Sequence, residues 1–260
     1  MKKIIVELSK YIKNCFLGNN PIENEENVIK ENNIKEEEEP IFGTPIKEGE
    51  KYSHVKILID NGHGVDTMGK CSPYLASKVK PAIEFKEYKW NREISTVIVE
   101  HLKEKGYNAD ILVPEDIDIS LTERTTRVNK ICKEYGKTNV LLVSVHANAA
   151  GNGTSWLNAK GWSAFTSKGH TKSDILSEYL YDAAEKYFVN RKIRVDNQDG
   201  DRDWESNFYI CQKTNCAAVL TENFFYDNVD DVKYILSDEG REAVIKTHVE
   251  GITNYIKNTY

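Results

Sequence analysis

Three things are scarce in this sequence, and each absence closes off a class of protein. No run of about 18 apolar residues occurs, so no segment is expected to span a bilayer as a helix. Basic residues are not in excess: 35 Lys and Arg stand against 41 Asp and Glu, for a formal charge of −6. With no long basic stripe either, nucleic acid is not expected as a partner. Cysteines number only five, at Cys15, Cys71, Cys132, Cys211 and Cys216. The count is odd and no C-x-x-C spacing occurs, so neither a disulfide framework nor a cysteine-bound metal is indicated, and free thiols are expected.

What is present divides the chain in three. The opening MKKIIVELSKYIKN carries the charge of a signal peptide without its apolar body, because Glu7, Lys10 and Lys13 interrupt it. Residues 1–19 therefore read as an amphipathic segment, and the protein is expected to stay in the cytoplasm until released or exported by an unidentified route. Residues 20–53 are rich in Asn, Glu and Lys, with the run Glu36-Glu37-Glu38-Glu39-Pro40 in the middle. Like charges repel and little can be buried, so this stretch reads as a linker. Residues 54–260 read as the folded domain, long enough for one substantial core.

From Val55 onward strand and helix patterns alternate. Val55–Asp60 is a short apolar run that enters the turn Asn61-Gly62-His63-Gly64. Ile94, Val97, Ile98 and Leu102 recur at helical spacing, with Gly106 as a stop. Ala109–Val113 reads as a strand. Ser120-Leu121-Thr122-Glu123 is a capping box opening a helix whose apolar stripe is Leu121, Val128, Cys132 and Tyr135. Val140–Val145 and Ala217–Thr221 read as buried strands. A helix with Leu176, Leu180 and Ala183 on one face lies between them, and a long final helix carries Val244, His248 and Ile252. The pattern predicts an α/β fold, a mostly parallel twisted sheet with helices on both faces.

In such a sheet the functional site lies off the carboxyl ends of the strands. Three predicted strands end in reactive groups: one in His63, one in His146 and one in Glu222. Glycines on both sides of His63 allow close approach of the backbone to a ligand. Two such histidines with a carboxylate are the material of a His₂Glu zinc site with a fourth position open to water. Composition does not choose the carboxylate, given 41 acidic residues. His54, His101, His170 and His248 fall at a strand approach, in helices or in a polar loop, and are not expected to bind metal.

Four short motifs then point to a family. Ile59-Asp60-Asn61-Gly62-His63-Gly64, Glu87-Tyr88-Lys89-Trp90-Asn91, Ser144-Val145-His146-Ala147-Asn148 and Leu220-Thr221-Glu222-Asn223 occur in that order. Together they resemble the zinc-dependent N-acetylmuramoyl-L-alanine amidases of the third amidase type, over roughly residues 55–258. Leu121-Thr122-Glu123-Arg124 and Gly161-Trp162 match further family segments. The resemblance implies one Zn²⁺ per chain held by His63, Glu87 and His146, with Glu222 as the catalytic carboxylate. It implies peptidoglycan as the partner, and the amide between N-acetylmuramic acid and L-alanine as the bond cut. Substrate-binding residues are not identified.

Two departures from the family pattern stand out. The interval between His63 and Glu87 is long and contains Lys70-Cys71-Ser72-Pro73, read as an inserted loop, which makes Glu84 a rival ligand. Glu87 is preferred because it alone is followed by Asn four residues on. The second departure is Asp199-Gly200-Asp201-Arg202-Asp203-Trp204. An EF-hand register through Gly200 would need carboxylates at Val195 and Ser206, so that motif fails and a solvated acidic turn is expected. Other readings are a zinc peptidase acting on the stem peptide, a wall-binding relative without turnover, and an α/β protein whose histidines are structural. The chain would suit either a phage-type lytic enzyme or an exported host enzyme.

Overall fold

The computed structural model describes residues 46–73 and 83–260. By its internal contacts the chain divides into Met1–Thr44 and Pro45–Tyr260, and the described residues all belong to the second unit. The expected amphipathic segment 1–19 and most of the linker 20–53 lie outside the described residues. The linker's end does not: Glu48–Tyr52 forms a 3-10 turn. Its Gly49 amide donates to the Lys105 carbonyl (2.8 Å), and Tyr52 stacks on Tyr107. Gly49 is buried so tightly that a Cβ there would lie 2.4 Å from the Tyr107 amide nitrogen.

Six strands form one sheet in the order β2-β1-β3-β6-β4-β5. They are β1 (Lys56–Asn61), β2 (Asn108–Ile111), β3 (Val140–Asn148), β4 (Ser163–Thr166), β5 (Trp204–Glu205) and β6 (Ala217–Phe225). All neighbours pair parallel except β4 and β6, which run antiparallel. Helices cover both faces, and strand alternation decides which side chain meets which. On β1, Ile57 and Ile59 join the larger core with Leu141, Val143 and Val219, under α1 (Glu87–Glu104), α3 (Lys172–Tyr187), α5 (Val229–Leu236) and α6 (Asp238–Thr259). Leu58 points the other way and packs with Leu142, Leu220 and Val128 beneath α2 (Leu121–Tyr135), with α4 (Tyr209–Gln212) beside it. Each fully buried aliphatic side chain contributes about 1.5–3 kcal/mol, and truncating one such as Ile57 to Ala would cost about 2–5 kcal/mol.

The strands and helices expected from Val55 onward are all present, with three differences that matter for the site. The sequence pattern places His146 and Glu222 just past their strands, yet β3 and β6 run on together, so both residues sit inside the ladder. At α2 only half of the capping box forms: Ser120 Oγ accepts from the Glu123 amide, whereas the Glu123 carboxylate turns to Arg127. Leu121, expected on the buried stripe of α2, is exposed and lines a groove instead.

Candidate active site

His63 leaves β1 in a left-handed conformation, φ 67°, which is uncommon for a residue with a side chain. Two arginines hold it there. Arg92 Nη1 donates to the His63 carbonyl (2.6 Å), and Arg124 Nη2 reaches the same oxygen at 3.5 Å. Arg124 is a buried guanidinium that also pairs with Asp60 (2.5 Å) and Asp118 (2.9 Å). Asp60 in turn accepts from Ser144 Oγ (2.5 Å) on β3. A buried charge is tolerable only when paired in this way. The motif residues Asp60 and Arg124 thus fasten the His63 turn to the sheet and to the start of α2.

Glu87 is the first residue of α1, and Asn91 lies one turn further on the same face. Asn91 Nδ2 donates to the Gly62 carbonyl (3.1 Å). Gly62 has its own requirement: a Cβ at this position would come within 2.1–2.5 Å of the His146 ring. The E-x-x-x-N spacing therefore places a carboxylate and a backbone clamp against one glycine turn. The inserted loop leaves this arrangement intact because its described ends pair with each other. Cys71 bridges Lys86, Ser72 bonds Phe85, and the Glu87 amide donates to the Lys70 carbonyl (2.9 Å).

Glu87 sits between the two histidines. Its Oε2 is 3.3 Å from His63 Nε2, and its Oε1 is 3.0 Å from His146 Nδ1 and 3.2 Å from the Ala147 amide. The imidazoles meet edge to face, with centroids 4.9 Å apart. Burial opposes the charge on Glu87, but the bonds to His146 and His63 outweigh it and hold the carboxyl well below the usual carboxylate range. Burial likewise works against a charged His146, yet Glu87 overrides it and raises the ring's pKa. One donor atom from each of His63, Glu87 and His146 lies within 4.8 Å of the others, a cluster that could hold a metal ion. The rival Glu84 is outside it, with a side chain 64% exposed and paired to Lys86.

Glu222 faces this cluster from β6. It is the register partner of His146, and on adjacent parallel strands partners project to the same side. Its Oε2 is buried with no hydrogen-bond partner among the described residues. Burial and the nearby Glu87 charge push its pKa up to about 7, against the pull of His146 and Lys70. Behind it, Asn223 Nδ2 donates to the His146 carbonyl (2.9 Å) while Asn223 Oδ1 accepts from the Trp162 indole (3.0 Å). This explains why Gly161-Trp162 belongs with the site motifs.

The remaining histidines stay apart from this cluster. His54, His101 and His170 are exposed. His248 is fully buried, with Nδ1 at the Val244 carbonyl (2.7 Å) and Nε2 at Thr221 Oγ1 (2.9 Å), and burial depresses its pKa to about 4. The acidic turn differs from expectation at its end. Asp199 and Gly200 are exposed, but Asp203 is buried and accepts from Thr166 Oγ1 (2.5 Å).

Two openings meet at His63, Lys70, His146 and Glu222. One, about 700 Å³, runs between the Asp118–Arg124 segment and Phe208, Tyr209 and Ile210. The other, about 340 Å³, runs past Asn148, Asn152 and Tyr226. Sequence patterns gave no signal for these walls, which come from loops far apart in the chain. No described helix is long and apolar enough to cross a membrane.

Known proteins resemble the chain in both sequence and fold. N-acetylmuramoyl-L-alanine amidase CwlM of Bacillus licheniformis is 27% identical over 202 residues, covering 76% of this chain and 67% of that protein. The endolysin of Bacillus phage SPP1 is 26% identical over 207 residues, covering 77% of this chain and 65% of that one. The chain thus spans about two thirds of the length of these two relatives. A solved N-acetylmuramoyl-L-alanine amidase from Clostridium difficile 630 superposes with a TM-score of 0.64 at 22% identity, over 80% of this chain and 100% of that one. Residues 57–254 match the family model of the N-acetylmuramoyl-L-alanine amidases, the third amidase type, and the chain belongs to that family.

Proposed function

We propose that this protein hydrolyses the amide between N-acetylmuramic acid and L-alanine in peptidoglycan, with zinc held by His63, Glu87 and His146 and Glu222 as the proton carrier. The observation that carries the reading is Glu222: a half-buried carboxylate with a free oxygen, beside the cluster and outside its donor set. Two imidazole nitrogens and one carboxylate, leaving a fourth position open, are the donor set of catalytic rather than structural zinc. Bound there, zinc supplies the Lewis acidity that polarises a carbonyl and acidifies water.

The chain's own residues do the rest. Glu222 takes a proton from the attacking water and returns it to the departing amine of L-alanine. Its Oε2, free of any hydrogen-bond partner among the described residues, is the atom placed to take and return that proton. Glu87 is held ionised as a ligand, and Asn91, Arg92 and Arg124 keep the His63 turn in place. The two openings that meet at Glu222 suit a substrate with a sugar on one side of the scissile bond and a peptide on the other. The work would be done at the cell wall, where the peptidoglycan substrate lies.

Mass spectrometry of digested peptidoglycan tests the reading. Stem peptides with free L-alanine amino termini, and intact lactyl groups on the glycan, are the expected products. Fragments cut only within the stem peptide would replace the amidase by a zinc peptidase.

A further inference from the structure

The acidic turn that failed the calcium motif is not an isolated surface feature. His170, Asp174 and Asp201 each present a metal-capable atom, and these atoms lie within 4.8 Å of one another. They come from three places: the loop after β4, the first turn of α3, and the loop before β5. Asp203 stands beside them. It is 1% exposed, its Oδ2 accepts from Thr166 Oγ1, and its Oδ1 is buried without a hydrogen-bond partner among the described residues. Asp201 Oδ1 is likewise buried without a donor, and the Asp201 and Asp203 carboxyls lie within hydrogen-bond reach of each other, a contact that is favourable only with a shared proton or a bound cation.

Orphaned carboxylate oxygens in a protein interior are costly and call for a partner. Among the described residues, no Lys or Arg makes an ion pair with Asp174, Asp201 or Asp203. Arg202, between Asp201 and Asp203 in sequence, is committed to Glu178, Asp182 and Glu185. The cluster accordingly suffers from its own charge. Burial raises the pKa of all three carboxyls; the charges of Asp199 and Asp174 raise Asp201 further, against a bond to Asp203 that lowers it, and the charges of Asp201 and Asp174 help push Asp203 up to about 7. The start of α3 adds only about half a positive charge, too little to balance three carboxylates.

We propose that His170, Asp174 and Asp201, backed by Asp203, form a second divalent-cation site, separate from the His63, Glu87 and His146 cluster. One imidazole among carboxylates favours a cation of the zinc or manganese kind over magnesium or calcium. The site lies away from the catalytic cluster. Ser163, at the start of β4, pairs with Glu222, whereas Thr166, which holds Asp203, is three residues on, roughly 10 Å along the strand. A cation here ties the loop before β5 to α3 and to the sheet edge, so its role is to stiffen that edge.

The test counts metal on the full chain. Protein stripped by chelator is dialysed against Zn²⁺ alone in slight excess, and bound zinc is measured by mass spectrometry. Two equivalents are expected for the wild type, and one each for His63→Ala, His170→Ala and Asp201→Asn. Almost none is expected for His63→Ala with His170→Ala. The His170 side chain is exposed, so its replacement leaves the fold intact even if Asp201→Asn does not fold. Zinc should also raise the melting temperature of His63→Ala but not that of the double variant. Saturation of the wild type at one equivalent, or a second equivalent that persists in His170→Ala, would overturn the proposal.

Discussion

His146 and Glu222 are register partners on adjacent parallel strands, so a ligand-type histidine and an unpaired carboxylate share one side of the sheet edge. Glu222→Gln keeps the size and most of the hydrogen bonding but carries no proton. Turnover on peptidoglycan should fall by about 10²- to 10⁴-fold, the usual loss for a general acid–base group. Metal content should stay at the wild-type level. The measurement is release of L-alanine amino termini at matched metal occupancy, and unchanged rates would move the proton carrier to another carboxylate.

The reactive residues were legible because strand ends and glycine turns are local signals. His63, His146 and Glu222 each follow an apolar run, and Glu87 is marked by Asn91 one helical turn away. Their exact setting was less legible. A pattern of apolar residues stops where polar ones begin, so β3 and β6 looked shorter than their hydrogen bonding makes them. The clamps on His63 were illegible as well, since Arg92 and Arg124 act through backbone carbonyls that any sequence supplies. Asp203 shows the same limit: only the fold reveals that a charged residue in an acidic turn points inward.

Glu87 and Glu84 can be separated by metal content. Glu87 lies between both imidazoles, and Glu84 points to solvent beside Lys86. Glu87→Ala should lose the metal bound with His63 and His146, as His63→Ala and His146→Ala should. Glu84→Ala should retain it. Retention in Glu87→Ala would exclude Glu87 as a ligand.

Gly62→Ala tests the fit between the glycine turn and His146 without replacing any of the three candidate ligand residues. The added Cβ overlaps the imidazole, so either the ring or the turn must shift. Changes that reorient ligands in this way typically weaken metal binding by about 10- to 100-fold. A competition titration against a chelator reads that shift directly, and wild-type affinity would mean that the turn has slack the geometry does not suggest.

The folded unit starts earlier than its first strand. Removing residues 1–44 should leave turnover and melting temperature unchanged. Starting instead at Val55 also removes the Gly49–Lys105 hydrogen bond and the Tyr52–Tyr107 stack. An aromatic pair contributes about 0.5–1.5 kcal/mol beyond its buried area, so the shorter chain should unfold at lower denaturant concentration. Equal midpoints for the two truncations would show that the 3-10 turn is a passenger.

The last prediction concerns His248, which makes the core sensitive to acid independently of the catalytic cluster. With Nδ1 donating to the Val244 carbonyl, its Nε2 is an acceptor for the Thr221 hydroxyl, so the neutral ring satisfies both partners. Burial depresses its folded pKa to about 4, only partly offset by the Val244 bond, while the unfolded chain takes up the proton near 6.5. The neutral folded form is thus at full advantage above pH 6.5. Between 6.5 and 4 the unfolded state binds the extra proton, and stability falls as the pH falls. The whole effect is of order 3 kcal/mol at about 1.4 kcal/mol per unit. His248→Gln retains a donor and an acceptor but does not titrate. Urea unfolding midpoints of both proteins from pH 7.5 to 4 provide the measurement, and the two should converge on acidification. Parallel curves would mean that the ring is charged in the folded core, or that it titrates alike in both states.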